Sequence, residues 1–266
     1  MKLTPRRTAI FLVSLIVIGA VTLWAGPKEV LHRFVGIPYW ALVGILALLA
    51  LNLIVVLFRF WRILAHLGID ISWAVAARAC IAGYVAGLAV ISLFGQIVGR
   101  QAVMQKSGVP PVVNASIAAY ERFFLALISG GLATLGGLYL LGQSSMTRFL
   151  GHLPVLEILV AASVAAMLSL KLGVSHFEKN LSSRVLTAEN LRNILEIFAL
   201  TLAGQFLVLG SFVIGIYSIS PQSDLLLVLA ASAIISFAAS IPISINGWGV
   251  REVTAIFVLG KLGIPA

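Results

Sequence analysis

The sequence predicts an all-α, polytopic integral membrane protein. We expect about 6–8 membrane helices, including two re-entrant or broken hairpins that are compatible with an inverted repeat. Three observations lead there. Hydrophobic residues make up 61% of the 266-residue chain and charged residues only 10%, where a soluble domain carries about 25% charged residues. The mean hydropathy is +1.10. Several apolar runs are as long as the roughly 18–20 residues that carry a helix across the hydrocarbon core. A β-barrel is excluded, because its strands would be short and alternating. The whole chain, 1–266, reads as a single transmembrane domain.

The formal net charge is +9. Nucleic acid is rejected as a partner, because the cations are dispersed at helix ends and form no basic patch laced with aromatics. Basic loops on one membrane face account for the surplus. Cys80 is the single cysteine, so an intrachain disulfide and a cysteine-based metal site are both excluded. His32, His66, His152 and His176 are scattered without ligand spacing. No metal and no cofactor is expected.

In chain order, Lys2, Arg6 and Arg7 precede an apolar run without a clear small-x-small cleavage site. That pattern reads as a retained first helix over about 8–25 rather than a removed signal. A loop over 26–38 follows. A second helix over about 39–65 ends in Arg59-Phe-Trp-Arg62, cations and aromatics typical of a cytoplasmic interface. Asp70 and Ser72 are placed to cap the next segment, 71–108. This segment is apolar over 74–94, carries Gly95-Gln-Ile-Val-Gly-Arg100, and ends polar before Pro110-Pro111. Helices are then predicted over 113–141, 153–172 and 194–219, with a polar loop at 175–193 and a turn at 220–224. A final apolar run, 225–239, leads into Pro242-Ile-Ser-Ile-Asn-Gly-Trp-Gly-Val-Arg-Glu252.

Charge bias selects between topologies. Lys2, Arg6 and Arg7 place the amino terminus in the cytoplasm. If 71–108 were one full span, the basic loop at 175–193 would lie outside, against the positive-inside rule. A re-entrant hairpin over 71–108 repairs the pattern, and the segment is too short for two full spans. A second hairpin over 225–263 would then enter from the opposite face. Gly-interrupted segments in corresponding halves are a sequence pointer to the site of an inverted-repeat transporter.

The stretch 241–252 concentrates the polar chemistry. Pro242 breaks a helix, and Gly247 and Gly249 permit unusual backbone angles. Arg251 and Glu252 place two charges beside the break, where a charge at bilayer depth costs roughly 2.5–3.5 kcal/mol. Irregular backbone is tolerated there only if it is buried in protein or lines a wet cavity. The competing reading is a Pro/Gly loop at the membrane surface.

Pro242-x-Ser244-x-x-Gly247-x-Gly249-x-Arg251-Glu252 closely resembles the signature of the lysylphosphatidylglycerol synthase transmembrane family, a flippase-like domain. Gly95, Gly99-Arg100 and Glu121-Arg122 resemble its upstream signatures, although Ser92-Leu-Phe replaces a proline element usual there. The resemblance covers nearly the whole chain. It implies binding or translocation of an anionic phospholipid or a lipid-linked head group in the cytoplasmic (inner) membrane. No aminoacyl-transferase domain follows, so lipid synthesis is not implied. Relatives usually continue past the equivalent of Ala266, so either this is a short member or its terminus is incomplete.

On this reading Arg100, Glu121, Arg122, Asn246, Arg251 and Glu252 form the head-group and charge network. Gly95, Gly99, Pro242, Ser244, Gly247 and Gly249 shape the helix breaks. Arginine suits a phosphate because its guanidinium fork is bidentate and always charged. Arg251 is expected to pair with Glu121, and Arg100 with Glu252. The alternative for both arginines is snorkelling at helix ends, and for Trp248 a place in the interfacial belt. A membrane-embedded transferase or an accessory subunit of envelope-lipid synthesis are the other functional readings. No nucleophile–base or metal constellation favours catalysis, so binding or transport is preferred to a transferase, for which Glu252 would be the only plausible base.

Overall fold

A computed structural model describes residues 36–87, 92–142, 188–240, 250–261 and 263. The predicted helices at 8–25 and 153–172, and most of the 175–193 loop, lie outside the described residues. So do Pro242, Ser244, Asn246, Gly247, Trp248 and Gly249.

The described residues form seven α-helices and one 3-10 turn, with no strand. They are α1 (Tyr39–His66), α2 (Trp73–Gly87), α3 (Ser92–Met104), α4 (Pro111–Leu141), α5 (Ala188–Ile219), α6 (Leu225–Ser240) and α7 (Val250–Lys261). Local sequence sets the boundaries. Pro38 and Pro110 hold extended backbone just before α1 and α4, as fits residues that cannot continue a hydrogen-bonded turn backwards. Gly142, at φ 75°, stops α4. Asp224 accepts hydrogen bonds from the backbone N–H groups of Leu226 (2.8 Å) and Leu227 (3.1 Å), capping α6.

Helices α1, α4 and α5 are long and apolar enough to cross a membrane. The protein is thus an all-α, multi-pass membrane protein. The other four are short. At about 1.5 Å per residue, α2, α3, α6 and α7 reach only about 18–24 Å, less than the ~30 Å hydrocarbon core.

Helices α1 and α5 run antiparallel. Arg62 meets Glu196 at one end, while Gly210 faces Leu48 and Gly44 faces Ile214 toward the other. Helices α4 and α6 are also antiparallel, with Gly136 against Ala230 and Ser129 beside Ser240. One core cluster joins the end of α1 (Ile63, Leu64), the start of α2 (Ala76), the end of α3 (Met104) and the starts of α4 (Val113) and α5 (Ile197). A second cluster, at the far end, joins Ile216 of α5, Val228 of α6 and Leu259 of α7.

The α2/α3 pair therefore extends from one end of the bundle and the α6/α7 pair from the other. Helices α2 and α3 pack backbone against backbone. A Cβ on Gly95 would fall 2.5 Å from the carbonyl oxygen of Ala86, and one on Gly99 would fall 2.3 Å from that of Ala82. This corrects the expectation that Gly95 and Gly99 break a helix. Both lie inside α3, where the missing side chains permit the close approach that small residues provide between membrane helices.

Candidate functional site

Three helices bring buried charges to one point. Arg100 of α3, Glu121 of α4 and Arg59 of α1 are only 2%, 5% and 9% exposed. Arg100 Nη1 donates to Glu121 Oε2 at 2.5 Å. Arg59 Nη2 donates to Glu121 Oε1 at 3.3 Å, and Arg59 Nη1 donates to the Thr201 hydroxyl of α5 at 3.2 Å. The Arg100 guanidinium also lies 4.2 Å from the centroid of the Phe60 ring, a cation–π contact. One carboxylate thus serves two guanidinium groups, and the triad carries one surplus positive charge. In a low-dielectric interior such a cluster persists only if its members stay mutually bonded, because losing a partner strands a buried charge.

The triad opens onto a cavity of about 790 Å³. Arg59, Arg100, Glu121, Arg122 and Arg251 all contribute to its wall. Among the described residues, four arginines and Glu121 line it, and Glu252 is bonded to one of those arginines, Arg251. The wall also includes Gly87 and Gln96 of the α2/α3 pair, and Ser240 and Arg251 of the α6/α7 pair. Along α5 it follows one face from Thr201 through Gln205, Val208 and Phe212 to Ile219, about 27 Å of helix. Beyond Asn52 on α1 the wall becomes apolar, through Leu49, Ile45 and Ile37. The cavity is therefore long, cationic at one end and mainly apolar at the other.

The structure gathers Arg100, Glu121, Arg122 and Arg251 from the residues that sequence reasoning proposed. Glu252 joins through Arg251, whose Nε and Nη2 donate to Glu252 Oε1 at 3.1 and 2.8 Å. This corrects the expected cross-pairing. Glu121 takes Arg100 and Arg59, and Arg251 takes its sequence neighbour. Adjacent helical residues point about 100° apart, but the long arginine side chain curls across the first turn of α7. Glu252, in that turn, also complements the positive helix amino terminus.

The sequence places Arg59 at a cytoplasmic interface; in the structure it is a member of the buried triad. A signal was present. It falls in phase with the buried stripe Val56, Phe60, Ile63, where a purely interfacial cation has no place. Thr201, Gln205 and Asn52 were also missed, because single polar residues in apolar helices carry little pattern. Arg62, three residues after Arg59, follows expectation more closely. It forms a partly exposed fork on Glu196, with His66 Nε2 3.3 Å from the same carboxylate. No group of three metal-ligating side chains occurs among the described residues.

No curated protein and no solved structure matches the chain significantly. The family described as "Lysylphosphatidylglycerol synthase TM region" matches residues 11–266. With that match added to long apolar helices around a buried arginine cluster, the chain belongs to the lysylphosphatidylglycerol synthase transmembrane family, membrane proteins of lipid metabolism or translocation.

Proposed function

We propose that the protein binds an anionic phospholipid or an isoprenoid-linked lipid phosphate and moves its head group between leaflets of the cytoplasmic membrane. The single observation that carries this reading is the cavity wall, where among the described residues four arginines outnumber Glu121 and the Glu252 bonded to Arg251, at the end of a long apolar trench. Surplus positive charge in a membrane interior is costly, and an anionic head group offsets it. The apolar length beyond Asn52 suits an acyl or prenyl chain lying along α1 and α5.

The two short-helix pairs support a route. We read α2/α3 and α6/α7 as re-entrant hairpins that reach the cavity from opposite faces, through Gly87 and Gln96 on one side and Ser240 and Arg251 on the other. Paired broken helices around a central site are the usual architecture of inverted-repeat transporters. The amino terminus lies in the cytoplasm on this reading, since Lys2, Arg6 and Arg7 cluster there.

Reconstitution into liposomes with labelled lipids of different head groups tests the proposal, comparing wild type with Arg251→Ala. Leaflet exchange of anionic lipid that falls at least tenfold in the variant is the expected result. Product formation without exchange would favour a transferase. An envelope-lipid phenotype that is intact in the variant, with no exchange in either protein, would favour an accessory subunit.

A further inference from the structure

We infer that Arg59 receives the phosphate oxyanion of the bound lipid, exchanging its bond to Glu121 for the ligand while Arg100 retains the carboxylate. The inference rests on the proposed anionic-lipid site and names the side chain that meets the ligand.

The two arginines on Glu121 are held unequally. Arg100 is bonded at 2.5 Å, covered by Phe60, and packed so closely on Gly83 that a Cβ there would come 2.9 Å from its Cγ. Arg59 reaches the same carboxylate only at 3.3 Å, and its other bond goes to a neutral hydroxyl. Arg59 Nε and Arg100 Nε are both buried with no hydrogen-bond partner among the described residues, but Arg100 is already fixed by its short bond to Glu121 and by Phe60, whereas Arg59 is not. Nε and Nη2 form the side-on fork by which arginine takes a carboxylate or phosphate in two parallel bonds. The molecule shows what that fork looks like when filled. Arg62, one turn further along α1, donates from Nε at 2.5 Å and from Nη2 at 2.7 Å to the two oxygens of Glu196. On Arg59 the same edge is half used, and Arg59 lines the cavity. A phosphate with two oxygens on that edge would satisfy Nε, replace the long Glu121 bond and neutralise the surplus charge of the triad. Thr201 would keep the guanidinium in place through Nη1.

The test measures binding of phosphatidylglycerol against uncharged diacylglycerol, by native mass spectrometry of the detergent-purified full chain. Inorganic phosphate alone is a separate arm, and gel-filtration profiles monitor folding. Wild type is expected to prefer phosphatidylglycerol. Arg59→Gln should weaken that binding at least tenfold, and Arg59→Lys severalfold, because an ammonium supplies charge without the fork. Thr201→Val should weaken it modestly while leaving the charges intact. Glu121→Gln should act in the opposite sense and tighten binding severalfold, since it removes the competitor for Arg59. A merely structural Arg59–Glu121 pair would make that variant bind more weakly.

Wild-type preference with undiminished binding in both Arg59→Lys and Thr201→Val would overturn the inference while leaving the lipid site standing. Absence of any preference in wild type would overturn the lipid reading itself. Saturation by millimolar inorganic phosphate, with no lipid retained, would keep Arg59 as the oxyanion residue and overturn the lipid as its source.

Discussion

Replacing Gly99 with alanine would place a methyl carbon 2.3 Å from the carbonyl oxygen of Ala82, 2.7 Å from its carbonyl carbon and 2.8 Å from Cα of Gly83. All three neighbours are backbone atoms, so no side chain can swing away. Carbon atoms in contact prefer about 3.5–4.0 Å, and α2 and α3 must therefore part by about 1 Å. Overpacking of this kind costs typically about 1–3 kcal/mol, and a rigid backbone neighbour puts Gly99→Ala at the upper end. For a chain of this size each kcal/mol moves the midpoint by about 2–4 °C, so the unfolding temperature in detergent should fall by about 5–10 °C. Arg100 is the next residue, so lipid binding should weaken in the protein that remains folded. Gly131→Ala is the control. It sits within α4 with nothing within 4 Å of the added carbon, and alanine is the better helix former by up to about 1 kcal/mol. A Gly99→Ala protein as stable as the Gly131→Ala protein would refute the close packing of α2 on α3.

Other outcomes follow from the same contacts. Arg100→Gln leaves Glu121 with only the longer Arg59 bond and should cost about 3–5 kcal/mol, whereas Arg100→Met combined with Glu121→Met should be milder, because an apolar replacement strands less charge; chemical or thermal denaturation of the three proteins checks the order. Asp224→Ala removes the cap on two backbone N–H groups of α6 and should cost about 0.5–2 kcal/mol, with faster hydrogen exchange confined to the first turn of that helix.

Much of the fold was legible because the membrane enforces a simple rule, long apolar runs bounded by turn residues. The second predicted helix, 39–65, is observed as Tyr39–His66, and 113–141 as Pro111–Leu141. Prolines and glycines at those ends leave little choice of boundary. Helix α5 begins at Ala188, earlier than the predicted 194, because its first turn is polar and hydropathy alone does not register it. The candidate site was legible where residues were chemically out of place. Arg100, Glu121, Arg122 and Arg251 stand out in apolar surroundings, and the structure brings them to one cavity. Their partners were not legible. Pairing depends on helix rotation and on the reach of flexible side chains, and Arg59 resembled an ordinary interfacial cation until its phase in α1 was known. The glycines of α3 were misread for a related reason. A glycine that breaks a helix and one that lets two helices touch look the same in one dimension.

A lipid phosphate seated against the arginine cluster would lie within hydrogen-bonding reach of a guanidinium nitrogen. Solid-state NMR on protein with 15N-labelled arginine guanidinium groups, in bilayers of phosphatidylglycerol, measures this through the 31P–15N dipolar coupling. The expected coupling corresponds to a hydrogen-bonded phosphate, on the order of 4 Å between phosphorus and nitrogen given donor–acceptor distances near 2.8 Å, and it should be lost in Arg59→Lys. The same coupling undiminished in that variant, or no coupling at all in wild-type protein, would contradict this placement of the phosphate.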